Sequence, residues 1–373
     1  IENKIGLKED ISIQKHQIYT YLRKKKKAIK ELETLIYDYP KNLRSLGLLA
    51  EYYENINKSS KAKNLLDKMM IIDSSNGLVR LSLFQHFYKK KQFKRSYREL
   101  LNVMRSSELE ENLKKQILLE ISYVQNSPFS LYQVSKLIQN FISIHPKNSD
   151  VLLMMGDLKI FQMQEDSACY YFRKSLDINP LPFKAWKQLI SSSLVRNRYD
   201  ITINDSKNAI ESHPNQPFPY LAIGIAFSRK GLYDQSIKKL ELGKKLVFED
   251  SLLKSDFLYE LANAYYNKRE YDISFEYYEM SISLNPNNFV LLNNYSYYLA
   301  LRKRNLNRAK ELILKVIDKY PNIPTYLDTY GWVLFQLNQY SLSEKVLFKA
   351  VINSNNQVGE ILEHYGDVLY KLN

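Results

Sequence analysis

Prolines punctuate this chain at a nearly constant interval. "FISIHP" ends at Pro146, "YYFRKSLDINP" at Pro180 and "AIESHP" at Pro214, two steps of 34 residues. Endings of the same character recur at Pro40, Ser74, Pro286, Pro321 and Asn355. The runs before them, such as "AIKELETLIYDYP" and "SFEYYEMSISLNP", space apolar residues along one face of a helix. Proline lacks an N–H and disfavours helical backbone at the residue before it, so each run stops there. With 373 residues the chain is long for one compact core. The beat selects an array of units, each burying its apolar face only against its neighbours. Just 10 glycines and 11 prolines in the whole chain argue against a turn-rich sheet protein and for helices.

Landmarks recur in phase inside the period. Residues 149–182 carry Leu152, Met155, Gly156, Ala168, Phe172 and Pro180; residues 255–288 carry Leu258, Leu261, Ala262, Tyr265, Ser274, Tyr278 and Pro286. Residues 43–76 carry Leu46, Leu49, Ala50, Tyr53, Ala62, Leu66 and Ser74, and 183–216 carry Trp186, Leu189, Ile190, Thr202 and Pro214. Small residues at the eighth slot (Gly156, Gly224, Ala262, Gly331) and the twentieth (Ala62, Ala168, Ser236, Ser274) let two helices approach closely. This pattern resembles the tetratricopeptide repeat. The resemblance implies an all-α, right-handed α–α superhelical solenoid of about ten to eleven helix pairs. Repeats are expected to start near residues 9, 43, 77, 111, 149, 183, 217, 255, 289 and 324. They form a single solenoid over 1–373, divergent over 9–148, regular over 149–357, with a partial repeat at 358–373. An irregularity is expected at Glu108–Asn126. The partial repeat leaves Ile361, Val368, Leu369 and Leu372 facing an absent neighbour, so the chain is expected to continue past Asn373.

"LLNNYSYYLA", "PTYLDTYGWVLF" and "ILEHYGDVLYK" are similar to the last repeats of bacterial envelope-associated tetratricopeptide proteins. That resemblance implies a bacterial source and favours the periplasm or envelope over the cytoplasm. The opening "IENKIGLKED" contains no apolar signal-like segment.

Catalysis needs convergent acids, bases or nucleophiles, and the sequence offers none. His16, His86, His145, His213 and His364 have no metal-ligand spacing, and no phosphate loop or nucleophile elbow is present. His145 and His213 occupy one slot in different repeats. Cys169, beside Ala168, reads as a packing residue. His364, near Glu363 and Asp367, reads as a capping or groove-lining residue. The expectation is therefore a non-enzymatic protein without cofactor or metal.

Net charge is +14, with 23 Lys/Arg against 13 Asp/Glu in residues 1–110 and 31 against 27 in the rest. Clusters fall in the expected turns: Lys24–Lys27, Lys89–Lys91, Arg196 and Arg198, Arg229 and Lys230, Lys268 and Arg269, and Arg302–Arg304. They would make a basic edge, open to peripheral contact with an acidic membrane surface. Enrichment in Lys, Asn, Ile and Tyr (30 Tyr) is equally the mark of a compositional bias.

The resemblance also implies that first helices line a concave groove. The slots facing it hold Tyr259, Asn263, Tyr266 and Asn267, then Asn293, Asn294 and Tyr297, then Asp328, Trp332 and Gln336. Amides present both donor and acceptor to an extended peptide backbone, and aromatic rings give large contact area at low entropy cost. The expected partner is an extended segment of another protein. Nucleic acid is disfavoured because the cations gather in turns. Binding an anionic partner, or serving as the accessory domain of an enzyme encoded elsewhere in a longer chain, are the alternative readings. The family's basic clamp for a terminal carboxylate is incomplete: Lys184 and Lys187 are present, but Ile225 stands where Asn is wanted.

Overall fold

A computed structural model describes residues 9–122, 127–354 and 357–372. Every regular element among them is an α-helix. The chain forms two compact units, Ile1–Pro180 and Leu181–Asn373. The first contains α1 (Glu9–Tyr21), α2 (Lys25–Asp38), α3 (Leu43–Asn55), α4 (Ser59–Ile72), α5 (Gly77–Lys89), α6 (Phe93–Arg105), α7 (Glu111–Ser122), α8 (Leu131–Ile144), α9 (Ser149–Phe161) and α10 (Glu165–Ile178). The second contains α11 (Phe183–Val195), α12 (Tyr199–Ser212), α13 (Pro217–Arg229), α14 (Tyr233–Lys245), α15 (Ser251–Asn267), α16 (Tyr271–Leu284), α17 (Phe289–Leu301), α18 (Leu306–Lys319), α19 (Pro324–Gln336), α20 (Tyr340–Asn353) and α21 (Gly359–Leu372). Within each unit consecutive helices pack as pairs, and each pair packs on the next.

Helix ends follow the sequence punctuation. Helices stop at Asp38, Ile72, Ile144, Ile178, Ser212, Leu284 and Lys319, each two residues before its landmark. The landmark at Asn355 lies outside the described residues, as do residues 123–126 of the expected irregularity. After several landmarks an asparagine starts the next helix. Asn42, Asn76, Asn148 and Asn288 accept hydrogen bonds from the backbone N–H of Ser45, Leu78, Val151 and Leu291. These caps satisfy donors that a helix start leaves orphaned. Two boundaries differ from expectation. Lys25–Lys27 lie inside α2 rather than in the turn before it. α15 begins at Ser251, because Asp250 accepts from Leu253 N–H and adds a turn ahead of residue 255.

Nine of the turns inside pairs contain a left-handed residue: Arg23, Asn57, Lys91, Met163, Asn197, Arg269, Lys303 (with Asn305 in the same turn) and Asn338, with Gly231 the glycine of the set. Such a residue stops the helix and turns the chain back.

Packing inside a pair is a knob in a hole. At Gly156 an added Cβ would meet Phe172 Cε1 at 2.4 Å; at Gly224 it would meet Leu240 Cγ at 2.5 Å; at Gly331 it would meet Leu347 Cγ at 2.4 Å. In each case the missing side chain of the first helix is the space that a large residue of the second fills. Phe172, Leu240 and Leu347 are consequently buried, each stabilising its pair by about 2 kcal/mol. Ala262 and Tyr278, both fully buried, occupy the same two slots in another pair. The twentieth slot does more than stay small. Ser236, Ser274 and Ser343 donate from Oγ to the carbonyls of Gly224, Ala262 and Gly331, at 2.7, 2.8 and 2.7 Å. The hydroxyl binds the second helix to the first at their closest approach and leaves no buried donor unpaired.

Ala168 is fully buried in the same slot of α10. Ala168→Leu is expected to cost about 1–3 kcal/mol by overpacking against α9. An unchanged urea midpoint would show that this slot has slack. Cys169 beside it is half-buried and lies outside the core.

Candidate functional site

The expected site residues lie on three successive first helices of the second unit, α15, α17 and α19. Side-chain bonds join these helices and the terminal α21. Asn294 of α17 donates from Nδ2 to the Tyr259 hydroxyl of α15 at 2.7 Å. Tyr297 of α17 donates to Glu360 of α21. The Trp332 indole of α19 stacks on the His364 ring of α21, centroids 4.1 Å apart and 17° from parallel. Trp332 also stacks on Phe335, at 4.9 Å.

The residues divide by what they have left to offer. Asn263 Oδ1 already accepts from the buried Tyr278 hydroxyl, and Asn294 Oδ1 from Asn293 Nδ2 at 3.2 Å. Asn267 is exposed and Gln336 half-buried, and neither amide has a hydrogen-bond partner among the described residues. Two further polar atoms, Asn293 Oδ1 and Trp332 Nε1, are shut off from solvent without a partner. Buried polar groups normally find one.

Two expected groove residues are buried instead. Tyr266 is 9 % exposed, stacked on Tyr298 at 3.8 Å, because a ring between adjacent first helices gains more by covering its neighbour than by facing solvent. Asp328 is 6 % exposed, its carboxylate 2.9 Å from His364 Nδ1. His364 therefore takes its partner from α19, not from the Glu363 and Asp367 of its own helix. Burial alone would push the His364 imidazolium down; the hydrogen bond and charge of Asp328, with Glu360 and Glu363, outweigh it and hold the ring above its ordinary value.

That direction sets a pH dependence. A folded value above the unfolded one contributes stability fully present below the unfolded value, about 6.5, and lost as pH rises through the folded value. Protection of α21 amides, corrected for intrinsic exchange, is expected to be greatest on the acid side and to fall as pH rises past neutral. Asp328→Asn is expected to flatten the profile. A flat wild-type profile would contradict the pairing.

Glu260, absent from the sequence reading, lies among these groups. Burial pushes its carboxyl up, with Arg229 and Asn263 acting in the opposite direction. Its one hydrogen bond among the described residues is from Asn263 Nδ2, at 3.4 Å. Its slot is the one that Asn294 holds in the next repeat, 34 residues on, so the phase itself pointed to it.

Part of the basic turn edge is an ion-pair ladder. In the second unit Lys230 pairs with Asp200, Lys268 with Asp234 at 2.9 Å, and Arg304 with Asp272. Each turn cation meets the acid in the first turn of the preceding pair's second helix, where that acid also suits the helix dipole. Single exposed pairs contribute little stability, but they do occupy the charges. Among the described residues no three His, Cys, Asp or Glu are placed to hold a metal ion. No helix among them is long and apolar enough to cross a membrane.

The family model described as "Tetratricopeptide repeat" matches residues 255–288. No curated protein matches the sequence. Among solved structures, the APC/C hetero-tetramer Cut9–Hcn1 is 12% identical, with 98% of each chain covered and a TM-score of 0.51. A tetratricopeptide repeat protein from Parabacteroides merdae is 14% identical, covering 68% of this chain and 98% of its own, also with a TM-score of 0.51. At these identities the likeness is one of fold. With one matched repeat and the same helix pair recurring through both units, the chain has the fold of tetratricopeptide repeat proteins.

Proposed function

We propose that the second unit holds an extended segment of a partner protein along the first-helix face of α15, α17 and α19. The fold supports a protein-interaction scaffold in general. The observation that carries the finer reading is the pair of accessible amides without a partner among the described residues, Asn267 and Gln336, on a face that also presents the half-buried Trp332 ring. An extended peptide supplies alternating donors and acceptors that match such a set. Tyr259 and Tyr297 contribute ring area beside it, while Asn263 and Asn294 act through their remaining N–H groups. The chain performs no chemistry in this reading. A bacterial envelope assembly is the setting that the resemblance of the last repeats suggests. An anionic partner is disfavoured because the ladder already pairs Lys230, Lys268 and Arg304.

The test is affinity capture from the source cell, with and without nuclease and at raised salt. A protein partner is expected to persist through both treatments. Loss of all bound material on nuclease treatment, with a steep salt dependence, would favour nucleic acid instead.

A further inference from the structure

The first unit has a pocket that this reading does not use. The first helices α3, α5 and α7 enclose a cavity of about 540 Å³, within the usual range for ligand sites. Its floor is apolar: Phe84 and Ile117 are buried, with Leu81 and Leu113 beside them. Its rim is acidic. Glu51 and Glu120 are exposed and have no ion pair or hydrogen bond among the described residues. Glu54, buried on the wall, is held by His86 Nδ1 at 2.8 Å and by the Ser59 hydroxyl at 3.1 Å. Lys89 is tied back to the Glu54 carbonyl and to Asn55 Oδ1. A neighbouring hollow shares Leu113 and Gln116 and adds Glu108 and Glu110.

This acidity is not the chain's bias. Residues 1–110 carry ten more cations than anions, so compositional drift would line a pocket there with lysine. Carboxylates around an apolar floor suit a ligand of opposite sign with an apolar body. We infer that the α3–α5–α7 pocket takes a large apolar side chain flanked by lysine or arginine, presented by a segment of a partner protein. The apolar group fills the floor, and the flanking cations meet Glu51 and Glu120.

The probe is a blocked nine-residue peptide with a central tryptophan and two lysines on either side. It is titrated into the full chain labelled at Ile and Leu methyls. Shifts are expected at Leu81, Leu113 and Ile117. Affinity is expected to fall at least fivefold in Glu51→Gln/Glu120→Gln, whose exposed positions leave folding intact, and by a similar factor when salt is tripled. Peptides with glutamate for lysine, or serine for tryptophan, are expected to bind at least tenfold more weakly. Trp332→Ala, in the second unit, should leave this binding unchanged, which separates it from the partner face proposed above. Equal binding of the acidic peptide, wild-type affinity in the double variant, or no shift at these methyls with any peptide would each overturn the assignment.

Discussion

Gly243→Val is expected to destabilise the second unit by roughly 3 kcal/mol, the top of the usual range for overpacking. An added Cβ at Gly243 would lie 2.5 Å from Tyr220 Cβ and 2.6 Å from Phe257 Cε1. The first of these atoms moves only with its backbone, and Phe257 is fully buried. α14 must therefore be displaced from α13 and α15 together. Helix propensity works the other way, since glycine inside a helix is about 1 kcal/mol worse than alanine. Gly366→Ala isolates that opposing effect: nothing lies within 4 Å of its added Cβ. It is expected to stabilise α21 by up to about 1 kcal/mol. Urea midpoints of the two variants should move in opposite directions. Movement in the same direction would mean that close approach at Gly243 is not what holds α14 in place.

Trp332→Ala combined with Asn294→Ala is expected to abolish partner capture while far-UV circular dichroism stays at wild-type helicity. Trp332 offers a half-buried indole face on the proposed binding surface, and such aromatic anchors commonly carry most of an interface's energy. Asn294 sets that surface by bonding Tyr259 across two helices. The indole also stacks on His364, so the truncation loosens α21. Trp332→Phe keeps an aromatic ring at this position with less area; it is expected to retain part of the capture. Wild-type yield from the double variant would leave the face without a role, and the turn cations without an ion pair among the described residues, Lys24 and Lys303 among them, would become the better surface.

The helix ends were legible in the sequence because proline imposes them locally, whatever the tertiary contacts. The small slots were legible because a hole between helices admits few residue types, so Gly156, Gly224 and Gly331 stand out by phase alone. Gly243 was passed over although its slot stays small along the array: Ser175, Ala209, Ser281 and Ala350 hold the same phase and are fully buried. Ser236 and Ser274 read only as small residues; their hydroxyl bonds appear once the facing carbonyls are placed. The capping asparagines merged into a composition already rich in Asn. At the candidate site the sequence assigned residues to a face but not to partners. His364 was grouped with acids on its own helix, whereas packing brings it to Asp328, 36 residues earlier. A repeat phase gives positions within a period and no side-chain register between periods, so Asp328 and Tyr266 read as free when neighbouring first helices bury them.

Photo-crosslinking in the source cell tests the central claim most directly. A photoreactive residue would replace Asn267 or Gln336 on the proposed face, and Asn197 or Asn338 in the turns as controls. The account predicts that the first two positions crosslink to one and the same protein, through contiguous residues of an extended segment, and that the turn positions do not. Crosslinks arising from the turns alone, or unrelated partners at Asn267 and Gln336, would contradict it.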